Sequence, residues 1–339
     1  MRLAEVLKFA RAPVASARRE GNRWRVELGT GEDENLEVRA RVIVNAAGPR
    51  VSAVLTNLLG NNTSKLVKLV RGSHIVVPRL YDSDHAHILQ ADDSRVVFVM
   101  PFEGVFSLIG TTDVEVDAEE DGRIEPPQID EAESVYLCDT VNQYFEKQIL
   151  PKDVVWSFSG VRPLYDDGSG DPSQITRDYI LEVDAPKGVA PLVSVFGGKV
   201  TAARKLAETV LSRLQPNFVN MRDSWTEEAV LPGGEMDDFA YFADELVEDY
   251  PEFEEDWLRG VARRHGTHAR ALIGTSRKPT DLGWNFGGGL YAAEVDWIMS
   301  HEWAQGPEDI LWRRTKCGLV IDAQGAASLR DYMSRSRSG

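Results

Sequence analysis

The 339 residues include 54 acidic and 38 basic side chains, a net charge of −16, and 42% of the chain is hydrophobic. A surface this negative repels nucleic acid and anionic lipid, which excludes both as the main partner; an anionic ligand needs a local basic pocket against that field. The hydrophobic fraction is that of a folded globular protein, and at roughly 100–200 residues per domain the length suggests two domains. The two cysteines, Cys138 and Cys317, form no CxxC or Cys/His spacing, so they read as buried thiols and no metal site is expected. No run approaches the roughly 18 apolar residues of a membrane span. The first residues lack the apolar core and cleavage site of a secretory signal.

In chain order, residues 13–28 read as two strands around a turn at Gly21-Asn22, with Val26 and Leu28 alternating against Arg25 and Glu27. A polar loop leads to another strand. Residues 40–49, ARVIVNAAGP, form a β-branched run stopped by small residues, Gly and Pro, as in a buried parallel strand ending at a tight turn. Residues 50–60 suit a following helix. From Leu66 to Pro163 short apolar runs (SHIVVP, HAHILQ, RVVFVMP, FSLIGTTDVEV) predict a mixed or antiparallel sheet, interrupted by a helical pattern over 127–148. Residues 154–165 and 177–184 are strand-like. PLVSVFGGKVTAARKLAETVLSRL reads as strand, Gly-Gly turn and helix, with Leu206, Ala207, Val210, Leu211 and Leu214 near a 3.6-residue period. From Asp237 on, five charged, Trp-rich segments read as helices: DDFAYFADELVEDYPEF, WLRGVARRHGTHARALI, YAAEVDWIMSHEW, PEDILWRRTKCGL and AASLRDYMSRS. A domain boundary is placed near residue 224.

Several residue patterns could carry chemistry. Gly197-Gly198-Lys199-Val200-Thr201 joins a buried strand to a helix. Two glycines admit close backbone approach, and the helix start offers free N–H groups with positive potential, which suits a flavin pyrimidine or a phosphate. The spacing is not that of a P-loop, and the same residues would serve as a plain tight turn. Arg162, in Gly160-Val161-Arg162-Pro163, has a rigid frame suited to a fixed anion contact. Arg177 begins the next strand and reads either as an anion ligand or as a surface ion pair with a neighbouring acid. His74, at the entrance to an apolar strand, reads either as a proton carrier near neutral pH or as a structural histidine. The other histidines form no constellation. No GxGxxG with a following acid, no GxSxG and no HExxH occurs.

Taken in order, VRGSHIVVP, RVVFVMPFEGVFSLIGTTD, VVWSFSGVRPLYDD, ITRDYILEV, PLVSVFGGKVTAARKLAE, VLPGG and LWRRTKCGL closely resemble the aerobic, FAD-dependent glycerol-3-phosphate dehydrogenases of the D-amino-acid-oxidase-like flavoproteins, from about Val14 to Tyr332. The resemblance implies an α/β plus all-α architecture. Residues 1–223 would form an incomplete FAD-binding domain, with FAD-domain remnants at 1–60 and 190–215 and a mixed substrate-domain sheet at 66–185. Residues 224–339 would form a helical C-terminal cap domain. It implies FAD as cofactor, contacted by Ala46, Ala47 and Gly48 after the returning strand and by Gly197, Gly198, Lys199, Val200 and Thr201. His74, Arg162 and Lys199 would be catalytic; Arg162, Arg177 and Lys199 would bind substrate. The implied reaction oxidises glycerol 3-phosphate to dihydroxyacetone phosphate and passes electrons to a membrane quinone, or to oxygen in a glycerol-3-phosphate oxidase. The implied setting is cytoplasmic and peripheral at the inner membrane face, with a homodimer left open. The family opens with a Gly-rich βαβ unit for the ADP half of FAD that does not precede Met1 here, so weak FAD affinity, or an inactive fragment, is an expectation for this chain.

Overall fold

The computed structural model describes residues 12–29, 35–60, 67–117, 126–165, 178–218 and 220–336. The chain divides into two compact units, Met1–Glu227 and Glu228–Gly339.

In the first unit, β1 (Val14–Glu20) and β2 (Arg23–Gly29) form the expected hairpin, with β3 (Asn35–Ala40) added antiparallel. Gly21 takes φ +61° in the turn, a conformation open to glycine at little cost. Trp24 is buried, and its indole N–H donates to the Pro191 carbonyl at 2.9 Å, tying this sheet to the chain ahead of the central parallel pair.

That pair is β4 (Ile43–Asn45) and β12 (Leu192–Gly197), with β11 (Tyr179–Asp184) antiparallel on the far side of β12. Leu192 through Phe196 are all buried, as a strand covered on both faces must be. The expectation of a buried strand over 40–49 holds less well. β4 is three residues long, Val44 is 42% exposed, and no strand pairs with its other edge among the described residues. Residues 50–60 are helical in short pieces: a 3₁₀ turn at Gly48–Arg50, the single turn α1 (Val51–Ala53) and a π turn at Val54–Leu58.

The large sheet holds β5 (Val67–Pro78), β6 (His87–Gln90), β7 (Val96–Phe102), β8 (Phe106–Gly110), β9 (Val114–Val116) and β10 (Trp156–Tyr165). Its order is β10-β5-β8-β7-β6, and every pairing is antiparallel. β8 pairs with residues 74–78 of β5 and β9 with residues 69–71, so the intervening segment, Thr111–Asp113, lies opposite Gly72 and Ser73. Helix α2 (Glu131–Asn142) covers one face only. Its Leu137, Cys138 and Val141 pack on Ile75, Val77, Val97, Val99 and Ile109. Burying such side chains stabilises by roughly 1.5–3 kcal/mol each. A capping box starts the helix: the Asp130 side chain accepts from the Glu133 N–H, and the Glu133 side chain accepts from the Asp130 N–H. After β12 comes a 3₁₀ turn at Val200–Ala202 and then α3 (Ala203–Leu214).

The second unit contains α4 (Phe239–Asp249), α5 (Glu255–His265), α6 (His268–Ile273), the small hairpin β13 (Asn285–Gly287) and β14 (Leu290–Tyr291), α7 (Ala292–His301) and α8 (Ala323–Ser336). Two details differ from expectation. WLRGVARRHGTHARALI is two helices rather than one, because Gly266 takes φ +56° and its Cα faces another backbone so closely that a Cβ would lie 1.8 Å from the Gly233 carbonyl. PEDILWRRTKCGL forms only a π turn at Asp309–Arg314 and a 3₁₀ turn at Cys317–Leu319. Both cysteines are buried; burial, with Asp139 and Asp153 nearby, pushes the Cys138 thiol up to about 11, which makes it unreactive.

Candidate active site

Side chains alternate between the faces of a strand, and antiparallel partners share a face. His74 of β5 is paired with Phe158 of β10 on one side and Gly110 of β8 on the other; Gly72 is paired with Gly160. His74, Gly72, Phe158, Gly160, Arg162 and Gly110 therefore occupy the face that α2 leaves bare. Three of these six are glycines, so the floor around His74 is stripped of side chains.

The His74 ring lies against Gly110, where a Cβ would come 2.2 Å from its Cδ2, and stacks on Phe158 at 4.9 Å and 5° between planes. Its Nδ1 is buried without a hydrogen-bond partner among the described residues. Burial, and then the positive charge of Arg162, hold the imidazole below its ordinary value of 6.5, so near neutral pH it is an uncharged group with a free lone pair. Arg162 crosses Gly72, where a Cβ would lie 2.0 Å from Nη2. Its Nη2 donates to Thr111 Oγ1 at 2.8 Å and to the Thr112 carbonyl at 3.4 Å, and its Nη1 donates to Asp113. The Arg162 side chain is 30% exposed, so it is reachable from solvent.

The two glycine turns follow the strands of the parallel pair, β4 and β12. The pairing of Ser194 with Asn45 brings the carboxyl ends of β4 and β12 to the same edge, the place where open α/β sheets take ligands. After β4, the Asn45 amide donates to the Val51 carbonyl at 2.9 Å and orders the turn at Ala46, Ala47 and Gly48. Ala46 and Ala47 line a cavity of about 510 Å³ with Pro13, Ile43 and Leu59. After β12, Gly197 and Gly198 take φ +70° and +96°, and a Cβ on Gly197 would lie 3.0 Å from the Asp178 carbonyl. Lys199 and Val200 follow, both exposed, then Thr201 in the 3₁₀ turn that leads into α3. The cavity after β4 is lined mainly by apolar residues, and the turn after β12 carries an exposed lysine ahead of a helix start, a setting that suits negative charge on a ligand.

His74 and Arg162 thus share one face, the glycine turns share one sheet edge, and Arg177 lies outside the described residues. Gly72, Gly110, Thr111 and Asp113 were missed in the sequence. Gly72 lies within VRGSHIVVP and the other three within FSLIGTTDVEV, runs that read as plain strands until their partners are known. Among the described residues no group of three or more His, Cys, Asp or Glu side chains could hold a metal ion.

An imidazole and an arginine on an open sheet, beside parallel strands ending in glycine turns, make the plan of a dinucleotide-dependent oxidoreductase. The chain belongs to the FAD-dependent oxidoreductase family, whose description "FAD dependent oxidoreductase" matches residues 4–204, while residues 224–334 match the family described as the C-terminal domain of alpha-glycerophosphate oxidase. The resemblance carried by the ordered motifs is borne out. The glycerol-3-phosphate dehydrogenase of Pseudomonas aeruginosa is 43% identical over 324 residues, which cover 95% of this chain and 62% of that protein. The D-erythritol 1-phosphate dehydrogenase of Brucella abortus is 44% identical over 323 residues, covering 94% of this chain and 63% of that protein. The aerobic glycerol-3-phosphate dehydrogenase of Escherichia coli is 42% identical over 333 residues, covering 97% and 65%. Among solved structures, the glycerol-3-phosphate dehydrogenase of Bacillus halodurans complexed with FAD superposes with a TM-score of 0.77 at 25% identity, covering 96% of this chain and 64% of that one. The chain spans just under two thirds of the length of these relatives.

Proposed function

We propose that the chain carries the substrate site of an FAD-dependent glycerol-3-phosphate dehydrogenase, which oxidises sn-glycerol 3-phosphate to dihydroxyacetone phosphate. The observation that carries the reading is the pairing, on one glycine-floored face, of an imidazole held uncharged with an arginine reachable from solvent. His74 takes the proton of the C2 hydroxyl, a role its depressed basicity keeps open near neutral pH. Arg162 holds the phosphate or polarises the C2 oxygen, and Arg177 and Lys199 add further positive charge for the dianion. The anionic substrate finds its local basic patch here, against a net charge of −16.

Ala46, Ala47 and Gly48, with Gly197, Gly198, Lys199, Val200 and Thr201, are the residues that would hold FAD. When bound, FAD supplies the acceptor for the hydride leaving C2. Lys199 and the start of the following helix favour negative charge on the nearby ring edge. A membrane quinone is the final acceptor under this reading, with the enzyme peripheral at the inner membrane face. No helix among the described residues is long and apolar enough to cross a membrane.

A second substrate has support from the relative named for D-erythritol 1-phosphate, a polyol monophosphate one carbon longer. The test is anaerobic bleaching of the flavin band in the FAD-loaded protein. Glycerol 3-phosphate should bleach it, unphosphorylated glycerol should not, and Arg162→Ala should abolish the response. Bleaching by erythritol 1-phosphate alone would move the assignment to the longer polyol. Bleaching by neither phosphate would overturn both. Peroxide formed in air at the rate of turnover would replace quinone by oxygen.

A further inference from the structure

We propose that Glu133, on the face of the large sheet opposite the site, is the residue that positions His74 and Arg162 for ligand; the proposal rests on the reading of those two as the substrate site. Glu133 is 6% exposed and belongs to the first turn of α2. Its Oε1 accepts from Thr112 Oγ1 at 2.6 Å and from Ser73 Oγ at 2.9 Å. Its Oε2 accepts from Arg71 Nη2 at 2.8 Å and from the Asp130 N–H at 3.1 Å. The Ser73 hydroxyl is also 2.8 Å from that of Ser159, and the Ser73 N–H donates to Thr112 Oγ1 at 2.9 Å.

Three residues of this network, Ser73, Thr112 and Ser159, are sequence neighbours of residues on the site face. Ser73 stands between Gly72, under Arg162, and His74. Thr112 stands between Thr111 and Asp113, the two side chains that bind the Arg162 guanidinium. Ser159 follows Phe158, on which His74 stacks. Neighbours on a strand point to opposite faces, so through Ser73 and Ser159 the carboxylate on the core side fixes two strands whose other face is the site, and through Thr112 it fixes the segment between β8 and β9. The segment most in need of fixing is Thr111–Asp113, where β8 has ended and β9 has not begun, so ladder hydrogen bonds do not hold it; Thr112 N–H to the Ser73 carbonyl is a long 3.4 Å. Charge-assisted hydrogen bonds are about twice as strong as neutral ones, and buried they leave little freedom, so this is where the register of Arg162 against His74 is set.

Structural support alone would affect stability. Positioning would also move the site. The measurement uses the full chain with histidine-selective isotope labelling, read by NMR, and inorganic phosphate as the probe of Arg162, followed by calorimetric titration. Glu133→Gln keeps the side-chain shape but removes the charge. Thr112→Val removes one hydroxyl and guards against a Glu133 variant that does not fold. Both should weaken phosphate binding about tenfold or more and shift the ring signals and titration midpoint of His74. Glu294→Gln, which removes an equally buried carboxylate from the other unit, should lower the Tm and leave both readouts unmoved. Folded Glu133→Gln and Thr112→Val variants with unchanged phosphate affinity and unchanged His74 signals would overturn the proposal. A parent chain with no phosphate affinity, or affinity indifferent to Arg162→Ala, would instead overturn the anion-site reading, and the His74 signals would still decide whether Glu133 positions that ring.

Discussion

In the helical unit Glu294 is fully buried, and both carboxylate oxygens are engaged: Oε1 by Arg264 Nε at 2.6 Å and by His265 Nε2 at 2.9 Å, Oε2 by Arg264 Nη2 at 3.0 Å. The other nitrogen of His265 is 3.1 Å from Glu302. In the first unit the His74 imidazole is also packed against protein, but its Nδ1 has no partner among the described residues, and the arginine beside it, 30% exposed, is held by Thr111, the Thr112 carbonyl and Asp113 and not by a buried carboxylate. A buried polar group left unsatisfied costs about 1–3 kcal/mol; the helical unit has one as well, Trp297 Nε1, so the contrast concerns the two histidine–arginine sets and not the units as wholes. The comparison sets a polar cluster with every described carboxylate oxygen engaged against a histidine with a spare nitrogen, and both sets combine histidine with arginine; under the proposed function the spare nitrogen is the one kept for a ligand.

The largest expected effect breaks the satisfied network. Glu294→Ala leaves Arg264 with its buried partner removed and should cost about 3–5 kcal/mol in the stability of the helical unit, read as a lower Tm by calorimetry. Burial raises the Glu294 carboxyl, but Arg264 and His265 outweigh that, and the net direction is down from 4.5. A depressed carboxyl stabilises above its unfolded value and loses that contribution as pH falls through its folded one, so the unit should weaken below pH 4.5 and not near neutrality. A Tm equal to the parent's in Glu294→Ala would remove the distinction drawn here.

Next in size is Arg162→Lys. A lysine cannot span Thr111, the Thr112 carbonyl and Asp113 with a planar fork. The expected loss is about 2–4 kcal/mol in transition-state stabilisation, measured as kcat/KM of the FAD-loaded protein with glycerol 3-phosphate, with little change in Tm. Unchanged kcat/KM would take Arg162 out of the site; a large fall in Tm would make it a structural residue like Arg264.

The sequence carried the strands well, because period-2 alternation in β2 and the unbroken apolar run of β12 are local signals. It carried the functional face poorly. His74 and Arg162 stood out as residue types, but their company on one face depends on the pairing of β5 with β8 and β10, which residue spacing does not encode. Glu133 looked like one acid among many in QIDEAESVY, and its burial appears only when α2 is docked. The split at Gly266 was missed for the same reason: the glycine answers to the Gly233 carbonyl, 33 positions away in a separate turn. The family was legible all the same, since ordered motifs preserve contacts that single motifs do not reveal.

Smaller in effect, two glycines on the site floor sharpen the contrast further. Gly110→Ala places a Cβ 2.2 Å from the His74 ring, whereas at Gly160 a Cβ meets nothing within 4 Å. Gly110→Ala should cost roughly 1–3 kcal/mol through overpacking and displace the imidazole. Gly160→Ala should leave stability within about 0.5 kcal/mol and reduce only ligand affinity, by filling the floor. Equal loss of stability in both variants would mean that the glycines serve the sheet and not the site.

The smallest effect concerns pH. Burial is the larger cause that holds His74 below 6.5, and Arg162 is the second. Arg162→Met removes the second cause and keeps the first, so the His74 midpoint should rise only part of the way toward 6.5. The sign for stability follows from proton binding: below 6.5 the unfolded chain takes up the proton before the folded one does, so stability declines as pH falls until the folded imidazole is itself protonated, and then levels off. The same order keeps the base form available on the acidic side of neutrality. NMR titration of His74 in the parent and in Arg162→Met measures both midpoints directly. A parent midpoint well above neutrality would mean that the imidazole is charged where a proton acceptor is needed, and His74 would then be an anion ligand alongside Arg162 instead of the base; a midpoint at 6.5 would remove the shift but leave the base form.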